Sequence, residues 1–232
     1  MKESGTKRLR IKLRGRDLLI FSWLVHMKFM LLEQIRDAFF RGCNPARAPY
    51  RRLLKLKKAG FIATTKVAIE PKDLYVATPK AVRLLREGMS YALGLSKGTE
   101  FANYKHDKSV TDLRILFKDL GIGIWVPERV IRSIKPRGAC PDALLVTEVG
   151  NFALEYERSE KKLERYKEIF ERYRHREHYD GALYICESES LIEELLSKDW
   201  VSKATFFIHR KRLFAEREDA IFLGRSGKLP VS

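Results

Sequence analysis

Cysteine is scarce in this 232-residue chain. Cys43, Cys140 and Cys186 lie far apart with no paired spacing. That argues against a disulfide framework and against a cysteine-rich zinc site. Long apolar runs are also missing. The longest candidate, Leu18 to Leu32, is broken by His26 and Lys28 and falls short of the roughly 18 residues a membrane span needs. The basic N-terminus has no apolar stretch ending in a small-residue cleavage site, so the expectation is a soluble, cytoplasmic protein with no membrane partner. There is no Gly-x-x-x-x-Gly-Lys-Ser/Thr loop for a nucleotide phosphate and no Gly-x-Ser-x-Gly nucleophile elbow. Aromatic residues, at 11%, are too plentiful for disorder to dominate. The length gives room for one large domain or two small ones.

What is abundant is positive charge. The net is +16, and it is concentrated at one end. Residues 1–100 hold 22 basic and 8 acidic side chains, against 24 and 22 in residues 101–232. A polycationic half beside a balanced half is the electrostatic footprint of nucleic-acid binding. The plainer reading is a solvated, solubilising surface.

Apolar spacing divides the chain into two modules. A basic stretch, Lys7 to Arg14, precedes the first, which covers 16–95. In it Asp17 to Met30 reads as a helix and Leu31 to Phe40 as a second. Arg41 to Pro45 reads as a turn, and Ala46 to Ala59 as a third helix stopped by Gly60. Phe61 to Ile69 and Asp73 to Thr78 read as a hairpin turning at Glu70-Pro71-Lys72, followed by a helix from Pro79 to Glu87. In the third helix Arg47, Arg51, Lys55 and Lys58 fall within an arc of about 80°. Tyr50, Leu53 and Leu56 are expected on the opposite, core side. Arg52 and Lys66 of the hairpin join these four as candidate DNA-binding residues.

This order of helices, basic helix, hairpin and helix resembles a winged helix-turn-helix domain. The stretch Leu53 to Ile62 followed by Leu74 to Ala81 looks like its recognition helix, wing and following helix. The resemblance implies a basic helix in the major groove of double-stranded DNA and a wing on the backbone. The alternative is a winged helix used for protein contacts.

Residues 89–104 read as a linker. The second module, 104–210, opens with a helix from His106 to Leu120 closed by Gly121. Strands are expected over Ile122–Ser133, Ala139–Glu148 and Asn151–Arg158. A helix over Glu160–Arg174, a strand over Gly181–Cys186, a helix over Ser190–Leu196 and a strand over Ala204–Ile208 follow. The order is αβββαβαβ, and 211–232 is a C-terminal tail. The fold class is α+β.

Three acids here carry a possible chemistry. Glu155 and Glu157 share a strand face. A turn at Val149-Gly150 sets Asp142 opposite Glu157, and a turn at Gly150-Asn151 sets it opposite Ser159. Either register puts Asp142 on the same face as both glutamates. Converging carboxylates suit Mg²⁺ or Mn²⁺, with Asp142 and Glu155 as the metal ligands. Arg158, Lys161 and Lys162 could instead neutralise the acids with no metal. His175 and His178, three apart without a third ligand, read as surface residues.

Pro141-Asp142, a strand turn, then Glu155-Tyr156-Glu157 before an amphipathic helix resembles the PD-(D/E)xK nuclease fold, whose core has the similar order αβββαβ. Together with His106-Asp107, Trp125, Glu128 and the run Leu154 to Arg158 behind a winged helix, the chain resembles the replication-relaxation family of plasmids and other mobile elements, over roughly residues 17–187. The resemblance implies DNA association and Asp142, Glu155, Glu157 and Lys161 as a catalytic set. It departs from the nuclease pattern where Glu157 stands in place of the strand lysine that serves the attacking water, so Lys161 or Lys162 from the next helix would have to substitute. Three functions are carried forward. The first is a DNA-binding protein in plasmid replication or mobilisation, with possible homodimerisation and replication or mobilisation proteins as partners. The second is a metal-dependent DNA endonuclease, and the third a winged-helix transcription regulator.

Overall fold

A computed structural model of the chain describes residues 11–43, 47–86, 103–134, 140–174 and 179–231, the side chains of 172–174 excepted. The basic residues 7–10, all but the end of the expected linker, and His175 and His178 lie outside the described residues. No described helix is long and apolar enough to cross a membrane. The chain divides into two compact units, Met1–Asp107 and Lys108–Ser232.

The first unit contains α1 (Gly15–His26), α2 (Leu32–Phe39), α3 (Ala48–Lys58), the antiparallel hairpin β1 (Ile62–Val67) and β2 (Glu70–Ala77), and α4 (Pro79–Arg86). Its core is apolar and fully buried, with Ile20, Phe21, Leu24, Ile35, Leu53, Leu56, Leu74 and Ala81. Phe21 stacks on Phe61 at 5.3 Å. The first helix stops at His26, four residues before the expected end at Met30. Lys28 turns the chain at a φ of 70°. Met30 then runs extended and exchanges two backbone hydrogen bonds with Tyr75, of 3.0 and 2.9 Å, closing one open edge of the hairpin that a longer helix would leave bare.

α3 ends as its glycine requires. Gly60 adopts a φ of 76°, its N–H donates to the Lys57 carbonyl at 2.9 Å, and the Phe61 N–H reaches back to Leu56 at 3.0 Å. These are the two bonds of a Schellman cap. The hairpin turns at Ala68-Ile69, two residues before the expected site, and Glu70-Pro71-Lys72 belongs to β2. Pro71 signals a turn in sequence, yet it is tolerated in this ribbon because it falls where the register shifts, between the paired residues Glu70 and Leu74.

The second unit is built on a seven-stranded mixed sheet in the order β3-β4-β5-β6-β7-β8-β9. The strands are Ile124–Pro127, Ala143–Thr147, Gly150–Glu157, Gly181–Cys186, Thr205–His209, Ile221–Gly224 and Gly227–Pro230. β5, β6 and β7 are mutually parallel, and every other neighbouring pair is antiparallel. The helices are α5 (Tyr104–Leu120), α6 (Glu128–Ile134), α7 (Leu163–Arg174), α8 (Glu189–Leu196) and α9 (Arg210–Glu216). The division between the units falls within α5. α7 and α8 cover one sheet face, packing Tyr166, Phe170, Leu191 and Leu195 on Ala153, Ala182, Tyr184 and Phe207. α5 serves the other face, where Phe117 meets Trp125 edge-on at 5.8 Å.

Two expectations are corrected here. The run Ile122–Ser133 is a short strand followed by a helix. Pro127 ends β3, and α6 takes over with an Arg132–Glu128 pair at 2.7 Å, while Val130 and Ile131 are buried from the helix. The expected tail is part of the domain: over 211–231, α9 continues from β7, and β8 and β9 extend the sheet past it.

Candidate nucleic-acid interface and acidic cluster

α3 buries Pro49, Leu53 and Leu56. This spacing turns Arg47, Arg51, Lys55 and Lys58 outward, and all four are exposed. Tyr50, expected in the core, is also outside, 54% exposed. The helix begins at Ala48 with Pro49 as its inward anchor, so Tyr50 is turned about 100° away from the core. Leu54 stands beside it, 40% exposed. Lys66 is exposed on β1 at a bulge between Thr65 and Val67. A helix face with four cations and no acid suits a polyanion.

Arg52 has a different role from its neighbours. Its Nε donates to Asp17 Oδ1 at 2.9 Å, one Nη2 bonds Asp17 Oδ2, and the same nitrogen reaches the Lys12 carbonyl at 2.9 Å. Asp17 is 1% exposed and also takes the Arg14 N–H at 2.7 Å, closing the first turn of α1. Burial alone would raise the Asp17 carboxyl, but the Arg52 and Arg14 hydrogen bonds bring it below the usual carboxylate range. Arg52 therefore fastens α3 to α1.

In the acidic cluster Thr147 pairs with Gly150 and Ala143 with Leu154. The β4–β5 turn is thus Glu148-Val149, and neither expected register holds. Gly150, at a φ of 146°, is the first residue of β5, and a Cβ there would lie 3.0 Å from the Asp180 carboxylate. Continued by one residue, the ladder sets Asp142 opposite Glu155, which keeps the expected shared face. Asp142 Oδ2 accepts the Tyr156 N–H at 2.8 Å. Glu157 is 6% exposed. It forms an ion pair with Lys161 and hydrogen-bonds the Tyr166 hydroxyl, which in turn accepts the Lys161 N–H at 3.2 Å. Glu155 is half-buried beside Tyr184 of β6. Burial, then the charges of Glu155 and Glu157, push the Tyr184 phenol far up, and its hydroxyl has no hydrogen-bond partner. As arranged, the acids do not fit a three-donor cation site. Among the described residues no group of three or more His, Cys, Asp and Glu side chains is so placed.

The chain matches no known protein family, curated protein or solved structure.

A second polar group lies on the opposite sheet face, and sequence reasoning missed it. The Tyr156 hydroxyl donates to Glu187 at 2.6 Å, and Ser109 of α5 hydrogen-bonds the Tyr156 oxygen. Burial, reinforced by the bond to Glu187, pushes the Tyr156 phenol up to about 12. Arg210 stands 3.6 Å from both Glu187 and Asp112. His209 Nε2 lies 3.0 Å from the Glu187 carbonyl. Glu187 follows the end of β6, His209 closes β7 and Arg210 follows it, as Glu157 ends β5. The signal available was positional: polar residues just past the carboxyl ends of parallel strands, where sheets of this kind hold their ligands. Arg210, placed between the carboxylates of Asp112 on α5 and Glu187 at the end of β6, makes this group a brace between α5 and the sheet.

Proposed function

We propose that the chain is a DNA-binding protein of a plasmid or other mobile element, acting in its replication or mobilisation. In this reading the first unit is a winged helix-turn-helix domain that binds duplex DNA. The second is a PD-(D/E)xK nuclease-like domain whose acidic cluster has lost hydrolysis. One observation carries the reading: Arg47, Arg51, Lys55 and Lys58 all project from one exposed face of α3, whose other face is core. Lys66 on the hairpin supplies a wing contact, and Met30 paired with Tyr75 is consistent with the third strand of such a domain. The loss of hydrolysis rests on Glu157, held by Lys161 where a strand lysine would be needed. A homodimer and replication or mobilisation proteins are the partners this reading calls for.

The test is duplex binding measured against salt. Replacing Arg51 and Lys55 by alanine should weaken binding and lower the slope of log K against log salt by about 0.9 for each lost phosphate contact. An unchanged affinity and slope would remove α3 from the interface. Footprints on an origin rather than a neighbouring promoter separate a replication role from a transcription regulator. The shared face of Asp142, Glu155 and Glu157 favours a second reading, an Mg²⁺- or Mn²⁺-dependent endonuclease. Nicking of supercoiled plasmid by the wild type, lost in Asp142→Asn, would establish it.

A further inference from the structure

Leu54 lies on the outward arc of α3. At about 100° per residue, Tyr50 falls about 40° to one side of it and Lys58 about 40° to the other. Tyr50 and Leu54 are four residues apart, which makes them neighbours on the helix surface. They form one apolar row. Arg51, Lys55 and Lys58 border it on one side, and Lys57, which bonds Thr64 of β1 at 2.6 Å, on the other. A single exposed leucine is ordinary on a protein surface. An exposed aromatic and an exposed leucine on neighbouring helix positions, bordered by cations, are a different arrangement. The cations bring a polyanion to this face, and the row between them offers that polyanion nothing but apolar surface and one phenol. Neither side chain can serve a phosphate through its apolar atoms. The row matches the one strongly apolar feature on the edges of DNA bases in the major groove, the thymine 5-methyl group.

We propose that Tyr50 and Leu54 read thymine, with a 5-methyl group of the bound duplex packed against Leu54 beside the Tyr50 ring. This rests on the DNA-binding reading above and adds a base preference to it: Arg47, Arg51, Lys55 and Lys58 position the helix on phosphates, and the apolar row specifies the base. Asn, Gln and Glu, which read bases by hydrogen bonds, are missing from α3, so thymine methyls are the main sequence signal this helix can take from an A·T pair.

The experiment selects preferred duplexes from a random pool with the wild-type protein. The selected duplex is then remade with deoxyuridine in place of thymidine, one position at a time. Deoxyuridine removes the methyl group and leaves base pairing and backbone charge in place. At one or two positions the wild type should lose about fourfold in affinity, the effect of a buried methyl-sized contact, with its salt slope unchanged. Leu54→Ala, a change at an exposed site, should show the same salt slope and no loss at those positions. Wild-type binding that is salt-dependent yet indifferent to deoxyuridine everywhere overturns this inference and leaves the DNA-binding reading standing. So does a Leu54→Ala protein that keeps the wild-type sensitivity. Failure of the wild type to bind any duplex overturns both.

Discussion

The Asp142 carboxylate accepts the backbone N–H of Tyr156 at 2.8 Å, one residue beyond the point where β4 ceases to pair with β5. A side chain thus takes over from a strand carbonyl at the end of a ladder. Seen this way, Asp142 holds β5 in place at the edge where Glu157 and Lys161 meet.

That role orders its variants. Asp142→Ala leaves the Tyr156 donor without this acceptor and should lower unfolding free energy by about 1–2 kcal/mol. Asp142→Asn keeps an acceptor oxygen and should lose less than half as much. Denaturant titration of the three proteins gives the comparison, and an asparagine variant as unstable as the alanine one would contradict the capping role.

Lys161 predicts the response to metal. Because it already accompanies Glu157, millimolar Mg²⁺ or Mn²⁺ should leave the melting temperature of the wild type unchanged, whereas an ion bound only by the native state would raise it. Lys161→Ala should cost about 1 kcal/mol, since the lysine end is partly solvated and Glu157 retains Tyr166. A metal-dependent rise in the wild type, measured by thermal unfolding, would return the acids to a cation.

Arg52 has a structural task on the same helix whose outer face is proposed to bind DNA. Arg52→Ala strands the buried Asp17 carboxylate and should cost about 3 kcal/mol near neutral pH. If α3 binds DNA as proposed, any fall in affinity should track the unfolded fraction. The Asp17 carboxyl lies below its ordinary value in the folded protein. Its contribution is therefore complete above the unfolded value of about 3.9 and is lost as pH falls through the lower folded value. The gap in stability between wild type and Arg52→Ala should narrow across that acid range. A gap constant down to the most acid conditions would show that the pair is not its source.

Much of this was legible in the sequence, and the failures have definite causes. α3 could be read because its period is strict and Gly60 ends it. β6 could be read because an apolar run begins at Gly181 and nothing interrupts it before Cys186. The stretch Ile122–Ser133 misled because Val130 and Ile131 are β-prone residues that happen to be buried on a helix, and Pro127 carried the only sign of the break. Gly150 was placed in the turn because glycine usually belongs there, while here it is a strand residue kept small by Asp180. The β8–β9 hairpin was hidden by the charged residues before it. Arg52 shows the deeper limit. Sequence gives its charge, but only the fold brings Asp17, 35 residues away, within reach. Tyr50 was lost to the core for the opposite reason: its ring is apolar, and Pro49 had already taken the inward position.

The hairpin of β8 and β9 has a consequence for handling the protein. β7 is parallel to β6 and would be the last strand of the sheet if the chain ended at Arg210. Its free side would then present a bare row of amides and carbonyls flanked by Phe206 and Phe207, a template on which another chain could pair. The hairpin covers that side and puts in its place a four-residue rim strand, Gly-Lys-Leu-Pro, whose lysine and proline discourage pairing. A version trimmed at Arg210 would carry its own nucleus for aggregation.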